Sequence, residues 1–211
     1  MSSLNELIGT RRSIRKFTEE PVSDKDLREI IEAGIRAPSG CNSQCWHFVA
    51  VRQKEKLDQL AREVEADIRD FYKNEDRTEA FLTAKIRNNT FFKDAPLVLF
   101  IFLTKIDYYD KDVLQKFEEN GLGYEGLMEA VGRPDLLSIG ACVQNMLLTI
   151  HEKGLGACWM NSPVLYKERL CKALDVPEGQ KLISILPVGH PAYTPREKAL
   201  KPLSEVLTLI D

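Results

Sequence analysis

Seven consecutive apolar residues, Leu97-Val98-Leu99-Phe100-Ile101-Phe102-Leu103, constrain this chain more than any other stretch. Successive side chains of a strand project to opposite faces, so a run without polar alternation has no face to show to water. It is far shorter than the roughly 20 apolar residues that cross a bilayer as a helix. The run therefore predicts a strand covered on both faces, inside a layered arrangement of helices and sheet. Helical patterns to supply those layers are present. Residues 24–37 keep one apolar face (Leu27, Ile30, Ile31, Ile35) behind a Ser23 cap, and Gln53 to about Phe71 does the same with Leu57, Leu60, Ala61 and Val64. Residues 79–89 are helical in character. A further helix, almost wholly apolar or small, runs from an Asp135 cap to 151–153 and stops at Gly154. Ser162-Pro163 reads as the start of a helix to about Leu174. Further strands are expected at 47–51, 157–160 and 182–186, with Pro187 confining the last to an edge or a bulge. Strands alternating with helices give an α/β or α+β sandwich.

At 211 residues, one domain spanning 1–211 is the expectation. Two parts of it stand apart. Residues 105–133 scatter Tyr108, Tyr109, Phe117, Tyr124 and Met128 among acids and glycines, which marks an excursion from the sheet and a candidate lid. From about residue 198 to 211 the tail carries apolar residues with no helix to cover them, so it packs on something. A net charge of −3 provides no overall field for nucleic acid, so any anion site is local. The first residues lack the basic and apolar regions of a secretion signal. Five cysteines, an odd number without C-x-x-C, fit a reduced cytoplasmic protein.

Familiar chemical motifs fail one by one. Neither G-x-G-x-x-G nor a P-loop occurs, and Gly154-Leu155-Gly156 lacks the third glycine and precedes a strand. Cys41, Cys45 and His47 are crowded enough to raise zinc, but no second ligand pair exists. Cys45 with His47 two residues on could form a nucleophile and base, although a small apolar filler before Trp46 explains Cys45 more simply. No catalytic side chain is assigned. What remains is a basic cluster, Arg11-Arg12-Ser13-Ile14-Arg15-Lys16, and a polar loop, Pro38-Ser39-Gly40-Cys41-Asn42-Ser43-Gln44-Cys45, leading into Trp46-His47-Phe48. Guanidinium forks suit phosphate, and an extended chain would put Arg11, Ser13 and Arg15 on one side. The loop can press exposed backbone and short side chains against a flat, polar-edged ligand.

Together these two stretches resemble the N-terminal signatures of the FMN-dependent nitroreductase family, at matching separation. Gly154-Leu155-Gly156-Ala157-Cys158-Trp159-Met160, Leu186-Pro187-Val188-Gly189-His190-Pro191 and Lys201-Pro202-Leu203-Ser204-Glu205-Val206 are similar to its later landmarks, in order. The resemblance implies an α+β fold with a central mixed sheet flanked by helices, in an intertwined homodimer with FMN at the subunit interface. The apolar helix 136–151 would then lie in the dimer core, and the tail would reach the partner. Carried over by position, Arg11, Arg12 and Ser13 hold the phosphate and ribityl end, with Lys198 and Lys201 completing it, and Arg15 lies near the pyrimidine edge. Pro38, Ser39, Gly40 and Asn42 close over the ring from the other subunit, and Gln44 belongs with the cofactor-binding residues. Asn88 contributes from its helix, and backbone near Met160, Asn161 and Ser162 approaches the ring. Three departures stand out: Cys45 replaces a proline, Asn161-Ser162 replaces a glycine pair, and Leu200 occupies the place of a phosphate-binding arginine. The implied activity is NADH- or NADPH-dependent reduction of nitroaromatics, quinones or similar acceptors. The alternatives are a specialised reduction such as dehalogenation, and a non-enzymatic FMN-binding or storage role.

Overall fold

The structure is a computed structural model and describes residues 3–106 and 110–210, so Tyr108 and Tyr109 of the candidate lid lie outside the described residues. Strands β1 (Trp46–Val51), β2 (Leu97–Leu103), β3 (Gly156–Ala157) and β4 (Lys181–Gly189) form one sheet in the order β1-β2-β4-β3. β2 pairs antiparallel with β1 (Trp46 opposite Leu103, Val51 opposite Val98) and with β4 (Leu97 opposite Val188). All seven residues of β2 are buried.

The pleat divides them between two cores. Leu97, Leu99, Ile101 and Leu103 face a core with Ile30 of α2 (Asp24–Ile35) and Ile139, Val143, Met146 and Ile150 of α7 (Pro134–Glu152). Val98, Phe100 and Phe102 face the opposite core, with Leu57, Leu60, Val64 and Ile68 of α3 (Lys54–Tyr72) and Leu170 of α8 (Glu168–Leu174). A central strand with no polar side thus ends between two helical layers, as its sequence requires. The ladder is antiparallel, and the parallel component of the sheet is a single bridge between Ser13 and Ala157.

Several local expectations are corrected. β4 runs through Pro187 to Gly189 instead of stopping before it. The Pro187 carbonyl accepts from the Cys158 N–H at 3.4 Å. In an antiparallel strand a residue's N–H and C=O point the same way, so the missing N–H faces the short β3 side, where the ladder loses least. The 157–160 strand is reduced to Gly156–Ala157 plus one bridge from Met160 to Ile185. Asp135 does not cap α7. Arg133, in left-handed conformation at φ 56°, takes that position with Pro134 first in the helix. Asp135 is wholly buried one residue on, gripped by Arg133 through Nε–Oδ1 at 3.1 Å and Nη2–Oδ2 at 2.8 Å. Ser162 starts a 3₁₀ turn (Ser162–Tyr166), not a continuous helix, and donates its hydroxyl to Asn89.

The excursion is two short helices, α5 (Lys111–Glu119) and α6 (Gly123–Ala130). Arg133 ties it down through Glu125 at 2.8 Å, and Glu125 also pairs with Lys181 at the start of β4. The first helix, α1 (Leu4–Thr10), and α4 (Glu79–Thr90) lie outside the two layers' centres. In the tail, Leu200, Leu203, Val206, Leu209 and Ile210 are exposed.

Phe100 is fully buried in the centre of β2. Phe100→Ala is expected to cost about 3–5 kcal/mol of unfolding free energy through lost burial and a cavity. Exposed Val113→Ala should cost under about 0.5 kcal/mol. Urea denaturation followed by far-UV circular dichroism checks both.

Candidate functional site

The basic cluster is held extended by its neighbours. α1 ends at Thr10, and the Ile14 N–H then donates to the Ala157 carbonyl at 2.9 Å. Ile14 turns inward, 4% exposed, and its side chain sits where a Cβ on Gly156 would fall, 2.5 Å away. Only glycine permits this approach. With Ile14 inward, alternation leaves Arg11, Ser13 and Arg15 lining one cleft of about 380 Å³. Arg12 lines it too, while its Nη1 donates to the Gly9 and Arg11 carbonyls at 2.7 and 2.9 Å, at the end of α1.

The far wall comes from the chain after β4. Phe17 bridges Pro191 in antiparallel fashion, Thr18 N–H donates to the His190 carbonyl at 2.9 Å, and Ala192 N–H to the Lys16 carbonyl at 3.1 Å. This zipper returns Tyr193, Pro195, Arg196, Glu197 and Lys198 alongside Arg15 to Arg11. Among the described residues no carboxylate is ion-paired with Arg11, Arg12, Arg15, Arg196 or Lys198. Five cations around one cleft with a single carboxylate, Glu197, form a donor set suited to a phosphate.

A smaller cavity of about 170 Å³ adjoins, sharing Arg11, Arg12 and Pro195 and reaching the end of α7. There His151 is bonded to the Thr10 hydroxyl at 2.8 Å, and burial with the Arg11 and Arg12 charges holds its imidazole below the ordinary 6.5. A helix C-terminus favours a cation, but burial, reinforced by the two guanidinium groups, prevails there.

The polar loop lies at the other end of α7. Gly40 N–H donates to Ser138 Oγ at 3.1 Å, and Ser138 in turn donates to the Pro134 carbonyl at 2.6 Å. Ser39 Oγ accepts from Gln44 N–H at 3.0 Å. Cys41, Asn42 and Gln44 all take positive φ, at 49°, 54° and 47°. Three non-glycine residues in the left-handed region within four positions store strain that an ordinary connector would shed. Cys45 behind them is buried, with its thiol directed at the Asp135 carbonyl (3.8 Å), and burial raises its pKa. Such a thiol is not an activated nucleophile, and His47 is exposed, so the Cys45–His47 pairing is set aside.

The remaining sequence candidates are distributed differently. Lys198 lines the cleft, whereas Lys201 and Leu200 lie in the exposed tail beyond it. Asn88 is exposed on α4. Its neighbour Asn89 is buried and meets the Ser162 hydroxyl and the Lys85 carbonyl. The Met160 N–H is committed to the Ile185 carbonyl and its C=O accepts from the Ile185 N–H, both at 2.9 Å, so only the carbonyl's second lone pair is open to a ligand. Asn161 and Ser162 are exposed beside it. The sequence reading missed Arg196. Its signal was present: in an extended segment after Pro195, Arg196 and Lys198 at i, i+2 share a side.

The fold is an α+β sheet covered by helices on both faces, with a basic cavity at one end of α7 and a strained polar loop at the other. The Nitroreductase family profile matches residues 8–190, and the chain belongs to that family. It is 28% identical to the iodotyrosine deiodinase of Thermotoga neapolitana over 194 residues, covering 90% of each chain. It is 26% identical to the putative NAD(P)H nitroreductase YfhC of Bacillus subtilis over 211 residues, covering 98% of this chain and 94% of that one. A putative nitroreductase in complex with FMN from Desulfovibrio desulfuricans superposes with a TM-score of 0.68 at 27% identity, covering 100% of this chain and 98% of that one.

The His151 environment sets a pH dependence. An imidazole held below 6.5 in the fold and near 6.5 when unfolded takes up its proton first in the unfolded state. Stability is therefore expected to fall as pH drops below about 6.5, until the folded imidazole is protonated too. In thermal melts of flavin-free protein, His151→Gln should flatten that part of the decline between about pH 7.5 and 5.

Proposed function

We propose that this protein is an FMN-dependent oxidoreductase, active as a homodimer, that uses NADH or NADPH to reduce nitroaromatic, quinone or similar acceptors. The observation that carries the reading is the separation of the two halves of the site along α7. Ser138 anchors the loop, and His151 lines the small cavity that adjoins the cleft and shares Arg11 and Arg12 with it. Thirteen residues of helix put them about 20 Å apart. That separation along a rigid helix supports a site in which each cleft takes its loop from a second copy. The exposed apolar tail, and Leu4 and Ile8 of α1, supply surface for that association.

Arg11, Arg12, Ser13 and Lys198 hold the phosphate. Arg15 sets a positive charge beside the ring, where electron density increases on reduction. Asn42, Gly40 and Ser39 cover the ring from the other copy with backbone and short polar groups. Bound FMN supplies two-electron transfer between reduced nicotinamide and acceptor, and the protein supplies position, charge and exclusion of water. No side-chain acid or nucleophile enters this scheme.

A second reading, reductive dehalogenation, has its own support. The Thermotoga neapolitana relative bears the name iodotyrosine deiodinase. The excursion also walls a cavity of about 240 Å³ with Lys105, Tyr124, Glu125 and Lys181, a polar set able to grip a small zwitterion or phenol.

The purified protein should be yellow, lose its colour under anaerobic NADH or NADPH, and turn over with menadione or a nitrofuran. Bleaching followed by turnover only with iodinated phenols favours the second reading, and colour without bleaching leaves a binding role. Sharing of the site between subunits has a separate check. Arg11→Ala/Arg12→Ala and Asn42→Ala homodimers should each retain little flavin. Co-expressed mixed dimers should recover about one flavin per dimer, because one cleft and one loop remain intact and meet. Mixed dimers as empty as the parents would place cleft and loop in the same subunit.

A further inference from the structure

Arg196 lines the same cleft as Arg11, Arg12 and Ser13, from the chain segment after β4, and among the described residues it is ion-paired with no carboxylate. It is delivered there by the backbone, not by a flexible side chain alone. The Phe17–Pro191 bridge and the hydrogen bonds of Thr18 to His190 and Ala192 to Lys16 fix the return of the chain only four residues earlier. Pro195 immediately before it lines both the cleft and the cavity behind. The positions further along do not reach. Leu200 is 77% exposed and neither it nor Lys201 lines the cleft. A planar guanidinium at 196 gives this wall the bidentate donor that Lys198 alone cannot provide.

We propose that Arg196 is a phosphate-binding residue of this chain and sets its preference for a phosphorylated over an unphosphorylated flavin. This rests on the FMN reading. Arg196 faces the anion across from Arg11 and Arg12, so the phosphate is gripped from two walls. Glu197 beside it disfavours excess negative charge, which makes the Arg196 fork the group that offsets that repulsion.

The test is the affinity of flavin-free dimer for FMN and for riboflavin, followed by quenching of flavin fluorescence. Arg196→Ala should weaken FMN binding by about tenfold or more, the usual consequence of losing charge-assisted hydrogen bonds. Riboflavin binding should change less than about twofold. Arg196→Lys, which keeps the charge and loses the fork, should fall between the two. Arg62→Ala, an exposed arginine on α3, controls for net charge and should leave both affinities alone. Equal losses for FMN and riboflavin in Arg196→Ala, or no loss for either, would overturn the assignment while leaving FMN as cofactor. Wild-type protein that binds neither flavin would instead overturn the cofactor reading itself, and Arg196 with it.

Discussion

Burial of β2 on both faces is the constraint on which the rest of the molecule depends. A strand of seven apolar side chains stays out of water only if something packs on each side of its pleat, and two helix pairs do so. One of those pairs includes α7, pressed into the odd-numbered face of β2 through Ile139, Val143, Met146 and Ile150. Because α7 is locked there along most of its length, its two ends are fixed points in space. The buried Asp135–Arg133 pair clamps one end, and the turn at Gly154 (φ 74°) closes the other. The polar loop and the basic cavity sit at those ends.

At the first end, the hydroxyl of Ser138 holds Gly40, and the loop beyond it adopts a backbone that its residues do not favour. Strain of this kind persists only when the surroundings over-determine it. The buried Asp135 and Ser138 of the helix turn beneath, with Cys45 filling the space behind, do that. At the second end the helix stops, the chain reverses, and β3 offers its edge to the residues after α1. The close contact of Ile14 with Gly156 rolls the arm so that arginines face outward in register. Cation placement is thus a consequence of one apolar residue turning in.

Much of this was legible in the sequence, for identifiable reasons. Period-2 and period-3.6 patterns are written by burial, so β2, α2 and α3 could be read from residue types to within about two positions. Arg11, Ser13 and Arg15 sharing a side follows from extension alone. What escaped notice involved partners distant in the chain. Nothing local says that Pro187 can remain in a strand, because its missing N–H matters only relative to the short β3 beside it. Asp135 looked like a cap because aspartate usually is one, and the left-handed Arg133 that displaced it is visible only with Glu125 and Glu129 in place. The Met160 N–H looked available, but it is taken by the distant Ile185 carbonyl.

The same logic explains how a site can tolerate a missing cation. An anion in a cleft responds to charge and donor geometry, not to the sequence position of the donor. The chain that follows β4 is tied to residues 16–18 at His190, Pro191 and Ala192, and Tyr193, Pro195, Arg196, Glu197 and Lys198 then line the cleft beside the basic arm. Leu200, which lies past the reach of the zipper, is released to join the apolar tail. There it adds to the exposed Leu203, Val206, Leu209 and Ile210, apolar surface whose burial would be favourable. A cation at 196 and an apolar residue at 200 thus keep charge at the cleft and apolar surface in the tail.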